Sequence, residues 1–525
     1  MKHLMLWSLF GLTSASYASP GVLEMTFETR RTSTTIKDTE SDDDSVYYQS
    51  SFIGNGDELL YIINLDIGTP PQSVQLQLDT GSSDLWVMGV GNPYCLQSGI
   101  NNATYNITNQ FDCSETGIFD QTKSSTWSFI TSAFYILYGD STFAEGDLGN
   151  ETVALSDGTK VEQVGIAVAS LANSSVGVMG IGLTSLEATN GDTPPFSYPN
   201  FPVRLQEAGI TQSLAYSLYL NESTAAGGTI LFGGVDSAKY TGGLWTVPLA
   251  DVQIGNSGPS QFYVNFDRVD YTDSSCNQQI LTNTSIIGLL DCGTTETQLP
   301  GPLAGAILDI FNVTVDPYYG YITPCEVVEK LGDSYLTFYF SGVPINVPLA
   351  STIFPVNSTS GAALTVNGKS MCQPYFSNMG NDMDAILGDS FLRSAYVVYD
   401  LANYQISLAQ AKYTNDSNIQ IINSNGVPGA VAASLYNSSS SSSCTPVTSS
   451  LTNSGNTPIQ STLSLETIVN TAIASSTISS TAAVTSTEST TTPTVTGTTK
   501  KNNAGMAFSS SYLSLFVCAM ALCFI

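Results

Sequence analysis

The chain has 525 residues, 42% apolar and 11% charged, and 44 acidic against 15 basic residues give a formal charge of −29. So acidic a chain, with few and scattered cations, is repelled by phosphate backbones, which excludes nucleic-acid binding, and its apolar and aromatic content excludes a wholly disordered polymer. The single histidine, His3, lies in a segment expected to be removed, so Ser-His-Asp, Cys-His and histidine-ligated zinc chemistry are excluded as well. Any catalysis then falls to carboxylates, Lys, Tyr, Ser or Cys, and neither metal nor cofactor is expected.

Residues 1–18 read as a secretory signal: Lys2 and His3, an apolar run from Leu4 to Leu12, then small residues at Ser16-Tyr17-Ala18. Residues 19–58 hold the acidic cluster Asp38, Glu40, Asp42, Asp43 and Asp44 and the dibasic pair Arg30-Arg31. They are expected to form a propeptide or a flexible N-terminal arm outside any core, with the dibasic pair either a processing site or never cut.

From residue 59 to residue 412 the texture is all-β. Short runs such as Leu59-Leu60-Tyr61-Ile62-Ile63, Ser73-Val74-Gln75-Leu76-Gln77-Leu78 and Tyr335-Leu336-Thr337-Phe338-Tyr339-Phe340 alternate with Gly, Asn, Asp and Ser. The clearest helical stretch runs from Pro302 to Phe311. About 350 residues exceed one small core, so two lobes are expected, 59–255 and 256–412. An internal repeat supports them. Leu78-Asp79-Thr80-Gly81-Ser82 recurs as Leu290-Asp291-Cys292-Gly293-Thr294, and an apolar-apolar-Gly triplet follows each Asp at nearly equal distance, ending at Gly180 and Gly388.

Ten Asn-X-Ser/Thr acceptors, at Asn102, Asn106, Asn150, Asn173, Asn221, Asn283, Asn312, Asn357, Asn415 and Asn437, fit a secretory route. In that oxidising compartment cysteines default to disulfides. Sequence proximity favours Cys95 with Cys113 and Cys325 with Cys372, leaving Cys276, Cys292 and Cys444 without assigned partners. Residues 413–503 are expected to form a stalk. From about Asn437 to Thr499 it is dominated by Ser and Thr, with six serines at 438–443, a composition that buries too little to fold and suits O-glycosylation. Leu513 to Ile525 is an apolar tail shorter than the ~20 residues of a membrane-spanning helix. With the small triplet Asn503-Ala504-Gly505 ahead of it, residues 504–525 read as a removed GPI-anchor signal and Asn503 as the attachment residue. A marginal membrane helix is the alternative.

Each repeated Asp ends an apolar strand and enters a Gly turn. Related by a pseudo-twofold axis, the two tips meet and the carboxylates face each other. Such a pair cannot ionise twice cheaply and shares a proton, which lets it act as acid and base together on a bound water and a carbonyl. Ser82 and Thr294, three residues after each Asp, are placed to orient the outer oxygens. Asp-Gly turns are common in β proteins; the paired context sets these two apart.

Asp79-Thr80-Gly81-Ser82-Ser83-Asp84-Leu85-Trp86-Val87 and Asp291-Cys292-Gly293-Thr294-Thr295 resemble the two active-site signatures of the pepsin-like aspartic proteases. Phe134-Tyr135-Ile136-Leu137-Tyr138-Gly139-Asp140 resembles their flap hairpin, and Ala385-Ile386-Leu387-Gly388-Asp389-Ser390-Phe391-Leu392-Arg393 their late C-lobe motif. The resemblance covers essentially all of residues 59–412. It implies a bilobal all-β fold with the site in the cleft between the lobes, Asp79 and Asp291 as the catalytic pair, loop support from Thr80, Gly81, Ser82, Cys292, Gly293 and Thr294, and a substrate-binding flap at Tyr138, Gly139 and Asp140. Signal, stalk and anchor signal resemble the fungal yapsin-like branch, with barrier-type proteases close in texture. The Asn-rich Cys95–Cys113 loop resembles the disulfide-closed insertion of that group.

The branch implies peptide or protein substrates, a preference for sites beside Lys or Arg met by Asp140, and work at acid pH. It also implies membrane attachment through the anchor, contact with cell-wall glucan, and a monomer. Asp140 is otherwise a hairpin-turn residue. One position departs from the pattern: Cys292 stands where the family carries a hydroxyl that ties the two active-site loops together, and a thiol donates weakly. A free, buried Cys292 is expected. The alternatives are a catalytically weak or inactive peptide-binding wall glycoprotein on the same fold, and a carboxylate-pair glycosidase, which predicts neither the duplicated turn nor a flap.

Overall fold

A computed structural model describes residues 15–19, 21–32, 58–99, 107, 110–155, 158–250, 258–317, 319–357, 362–380 and 384–436. Among them strand is the prevailing regular structure and helices are few and short, because β-branched and aromatic residues alternate with polar ones along many segments. In Gln72–Asp79 the apolar Val74, Leu76 and Leu78 are buried while Gln75 and Gln77 are half-exposed. The longest helix among the described residues is Gly301–Ile310, close to the stretch expected from sequence, and it buries Leu303, Ala304, Ile307 and Leu308.

One large sheet runs through the molecule. Its central part reads, from neighbour to neighbour, Gln405–Ala411, Ala395–Asp400, Ala215–Tyr219, Gly227–Phe232, Val22–Thr32, Glu58–Ile67, Gln72–Asp79 and Gly177–Gly180. The expected boundary between lobes at residue 255 is therefore not a clean cut. Ala395–Asp400 lies well after it, yet pairs with Ala215–Tyr219 before it (Leu218 opposite Val397). Its residues are buried on both faces, as a strand inside a two-sided sheet must be.

Two further expectations need correction. The segment 19–58 is not wholly outside the core: Val22–Thr32 is an internal strand, flanked by Gly227–Phe232 on one side and Glu58–Ile67 on the other. Val22, Leu23, Met25 and Phe27 are buried, and Phe27 packs edge-on against Tyr61 at 5.1 Å between ring centres. The acidic cluster 38–44 dominates the composition of the segment and hides this apolar stretch, which precedes it. Arg30 and Arg31 stand in the ladder opposite Leu60 and Leu59. Ala15–Ser19, within the expected signal, pairs with residues 22–25.

The stalk likewise does not begin at 413. Ile419–Ile421 pairs with Gly234–Asp236, and Ala430–Ala432 runs parallel to Leu244–Thr246. Tyr436 meets Trp245 edge-on at 5.2 Å. Ile422 and Ala433 are buried, so the folded body extends to Tyr436. The Ser/Thr-rich segment, the tail and Asn503 lie outside the described residues.

Candidate active site

The duplicated turn appears twice in the same architecture. Leu76–Asp79 runs parallel to Gly177–Gly180, with Asp79 opposite Gly180. In the second half Gly288–Leu290 runs parallel to Ala385–Leu387, which leads to Gly388. Each Asp thus leaves the end of a buried strand beside a glycine-ended partner strand. Both glycines are needed for closeness: a Cβ on Gly180 would lie 2.7 Å from the Asp84 backbone, and one on Gly388 2.2 Å from Glu296 O.

The two tips meet. A Cβ on Gly81 would stand 2.6 Å from the Asp291 carboxyl, and one on Gly293 2.3 Å from Asp79 Oδ1. Only glycine lets each turn pass beneath the opposite carboxylate. Gly81 N donates to Asp79 Oδ1 at 2.7 Å and Gly293 N to Asp291 Oδ1 at 2.8 Å. Ser82 Oγ donates to Asp79 Oδ2 at 2.5 Å and Thr294 Oγ1 to Asp291 Oδ2 at 2.6 Å. Each carboxylate is thereby fixed at both oxygens by the same two donors. Burial first, then the Asp291 charge, push the Asp79 carboxyl well above the usual carboxylate range, against the pull of Ser82 and Gly81. The pair therefore holds a proton in acid solution, the state in which one carboxyl donates while the other accepts.

Beneath the pair the halves interlock unequally. Thr80 Oγ1 donates to Leu290 O at 3.0 Å and accepts from Cys292 N at 2.9 Å. From the other side Cys292 Sγ reaches Leu78 O at 3.5 Å. Cys292 is free and buried, and burial drives its thiol pKa well up. Further ties cross between the halves: Gln77 Nε2 donates to Gly293 O at 2.9 Å, and Thr295 Oγ1 to Leu59 O at 3.0 Å.

Ser128–Leu137 and Phe143–Ala154 form a hairpin whose turn carries Tyr138, Gly139 and Asp140. Trp86 Nε1 donates to Tyr138 OH at 2.8 Å, and the Asp79 charge contributes to raising the Tyr138 pKa, second to burial. Asp140 is exposed, and its Oδ1 accepts from Thr142 N and Thr142 Oγ1 at 2.8 and 2.7 Å. Its carboxylate thus holds the turn with one oxygen.

Several neighbours were not singled out from sequence. Behind Trp86, the fully buried Asp84 accepts from Tyr198 OH at 2.5 Å and from Ala188 N at 3.0 Å, and Tyr198 N donates to the buried Glu187 at 2.9 Å. Desolvation raises Asp84 to about 6 and Glu187 to about 9. Only the tertiary fold brings these distant positions together; the sole sequence signal was an acid inside an apolar motif at Asp84.

The remaining predicted sites fall as follows. Cys95–Cys113 and Cys325–Cys372 are disulfides, and Cys276 is disulfide-bonded too. Asn283, Asn312 and Asn415 are exposed, and Asn150, Asn173, Asn221 and Asn357 half-buried; Asn102, Asn106 and Asn437 lie outside the described residues, as does Cys444. Among the described residues no acidic, His or Cys cluster fits a metal ion, and no helix is long and apolar enough to cross a membrane.

Residues 60–411 match the model of the eukaryotic aspartyl protease family. Aspartic proteinase 3 of Saccharomyces cerevisiae is 37% identical, over 76% of this chain and 78% of its own. Aspartic proteinase yapsin-3 of the same organism is 38% identical over 74% and 73%, and barrierpepsin 37% over 68% and 61%. The crystal structure of an aspartic proteinase from Irpex lacteus shares the fold, with a TM-score of 0.53 at 21% identity over 68% of this chain and 96% of that one. With two glycine-turn aspartates in contact, a hairpin over them and this match across the folded body, the chain belongs to the pepsin-like aspartic proteases, and it is an aspartic-type peptide hydrolase.

Proposed function

We propose that this enzyme is a secreted, surface-anchored endopeptidase that cuts peptides or surface proteins in acid medium, with Asp79 and Asp291 as its catalytic pair. The observation that carries the reading is the matched set of donors on the two touching carboxyls. The pair holds a water; the ionised member takes its proton as the oxygen attacks the scissile carbonyl, while the protonated member donates to the carbonyl oxygen. A tetrahedral diol forms, and proton return to the amine nitrogen releases both products. No covalent intermediate is needed. The hairpin closes over the substrate, with Tyr138 walling the pocket for the residue before the scissile bond.

The finer points rest on sequence. A signal over 1–18, glycans at the Asn-X-Ser/Thr acceptors, a stalk beginning after Tyr436 and an anchor at Asn503 together support exposure at the outer face of the plasma membrane or in the wall, against glucan. The net charge of −29 and the free oxygen of Asp140 support cationic substrates cut beside Lys or Arg. The test is digestion of a mixed peptide library at pH 4 to 6 by residues 19–436, with and without pepstatin, beside Asp79→Asn and Asp291→Asn. Inhibitor-sensitive cuts beside Lys or Arg, reduced by about a thousandfold or more in both variants, are expected. Cuts between large apolar residues remove the basic preference, and no cleavage by folded protein favours a peptide-binding role.

A further inference from the structure

The hairpin over the aspartates is tied to its lobe at the front through Trp86 and Tyr138, and at the back through Asn173. Asn173 follows directly on the strand Lys160–Ala172. Its backbone N–H donates to Phe143 O at 3.3 Å, its Oδ1 accepts from Phe143 N at 2.7 Å, and its Nδ2 donates to Ser141 O at 3.2 Å. Ser141 is the corner of the turn, held at φ 71° in the left-handed region, where a residue with a Cβ is strained. Its own N–H donates to Tyr138 O at 3.0 Å. One side chain therefore grips both the corner of the turn and the first residue of the returning strand, a single hydrogen bond away from Tyr138. Asn173 is itself set from below. The fully buried Asn92 donates from Nδ2 to Ala172 O at 3.0 Å and accepts from Ala172 N at 3.3 Å.

We propose that Asn173 is the positioning residue of the flap: through Ser141 and Phe143 its amide fixes where Tyr138 and Asp140 stand over the aspartate pair. The inference rests on reading this hairpin as the cover of the substrate. It also gives Asn173 a part that its place in an Asn-X-Ser acceptor conceals. Attachment of a glycan replaces one of the two Nδ2 hydrogens, so the sugar and the Ser141 bond draw on the same nitrogen. The amide, rather than a sugar, is what the flap needs.

The two roles separate cleanly by mutation. Ser175→Ala removes the acceptor sequence and leaves Asn173 in place; kcat and KM within twofold of the parent are expected. Asn173→Ala removes two side-chain bonds, and kcat/KM on a long peptide falls about five- to tenfold, chiefly through KM, with both limbs of the pH–rate profile unmoved because the aspartates are untouched. Asn173→Asp keeps the acceptor for Phe143 N and falls between them. Tyr138→Ala, in the same assay, reports on the cover itself. If Tyr138→Ala leaves kcat/KM unchanged, the reading of the hairpin fails. If Tyr138→Ala is impaired while Asn173→Ala matches the parent, the positioning role fails alone. Ser175→Ala as impaired as Asn173→Ala assigns the effect to the glycan and overturns the proposal. So does a loss in Asn173→Ala that merely follows a fall in Tm, with Asn173→Asp no better.

Discussion

The unequal interlock beneath the aspartates makes a quantitative prediction. Thr80 Oγ1 carries two bonds across the interface, at 3.0 and 2.9 Å, whereas Cys292 contributes one thiol contact at 3.5 Å. Thr80→Val keeps the shape and deletes both bonds. Leu290 O retains a long contact from Tyr399 OH at 3.4 Å, but Cys292 N is left buried without its partner. An orphaned buried donor plus a lost neutral bond costs roughly 2–4 kcal/mol. Cys292→Ala removes a weak donor and one atom of volume, for about 1 kcal/mol. Cys292→Ser places a true hydroxyl donor opposite Leu78 O, and the net change is between zero and about 1 kcal/mol in favour of the fold. Calorimetry of the three variants at pH 5, with kcat measured in parallel, gives the order Ser, parent, Ala, Val from most to least stable. In a body of this size each kcal/mol moves Tm by about 2 °C. A Cys292→Ala variant as damaged as Thr80→Val would refute the reasoning, because the thiol would then carry as much as the hydroxyl.

The other predictions concern charge, space and covalent closure. Glu187 and Asp84 have raised pKa values in the fold, so their stabilising contribution is whole below about pH 4 and is lost as pH climbs towards 6 for Asp84 and 9 for Glu187, at about 1.4 kcal/mol per pH unit for each group within its window. Tm should fall between pH 5 and 8, and Glu187→Gln should flatten that fall; an unchanged slope would place the liability elsewhere. Gly293→Ala forces a methyl to within 2.3 Å of Asp79 Oδ1, so activity should be lost while circular dichroism still reports a folded β protein; a normal kcat would contradict the contact. Cys292, buried with a raised thiol pKa, should resist an aromatic disulfide reagent in native protein and react only in denaturant. The Cys325–Cys372 bridge closes a separation of 47 residues, and its removal by paired Ser substitution should cost about 4 kcal/mol, read as a shift in the urea midpoint.

What was legible follows from where the information sits. Asp79 and Asp291 could be read because each lies in a local motif and the motif occurs twice. The donors at Ser82 and Thr294 followed from spacing, since a turn of fixed shape fixes what stands three residues on. Pairings between remote segments left no local trace. Val22–Thr32 finds its partners at 58–62 and 227–232, and residues 419–432 find theirs near 234 and 245. In both places neighbouring composition, acidic in one and Ser/Thr-rich in the other, suggested an unfolded arm. Asp84 reads as one letter of a motif, yet its burial against Tyr198 and Glu187 exists only once the 183–200 loop closes over it. Asn173 reads as a glycan acceptor, and only the hydrogen bonds reveal what its amide does.

The place of Val22–Thr32 in the sheet governs how the protein can be made. An expression product beginning at Leu60, the start of the matched family region, would lack a strand from the middle of the sheet rather than from its rim. Two ladders would lie open, the first half of Glu58–Ile67 and the inner side of Gly227–Phe232, and the apolar seat of Leu23, Met25 and Phe27 would face water. Exposed edges of that kind recruit other chains. Recombinant work should therefore start upstream of Val22, and a peptide spanning that strand is the natural reagent for rescuing a shorter product, in the manner of a split protein completed in trans.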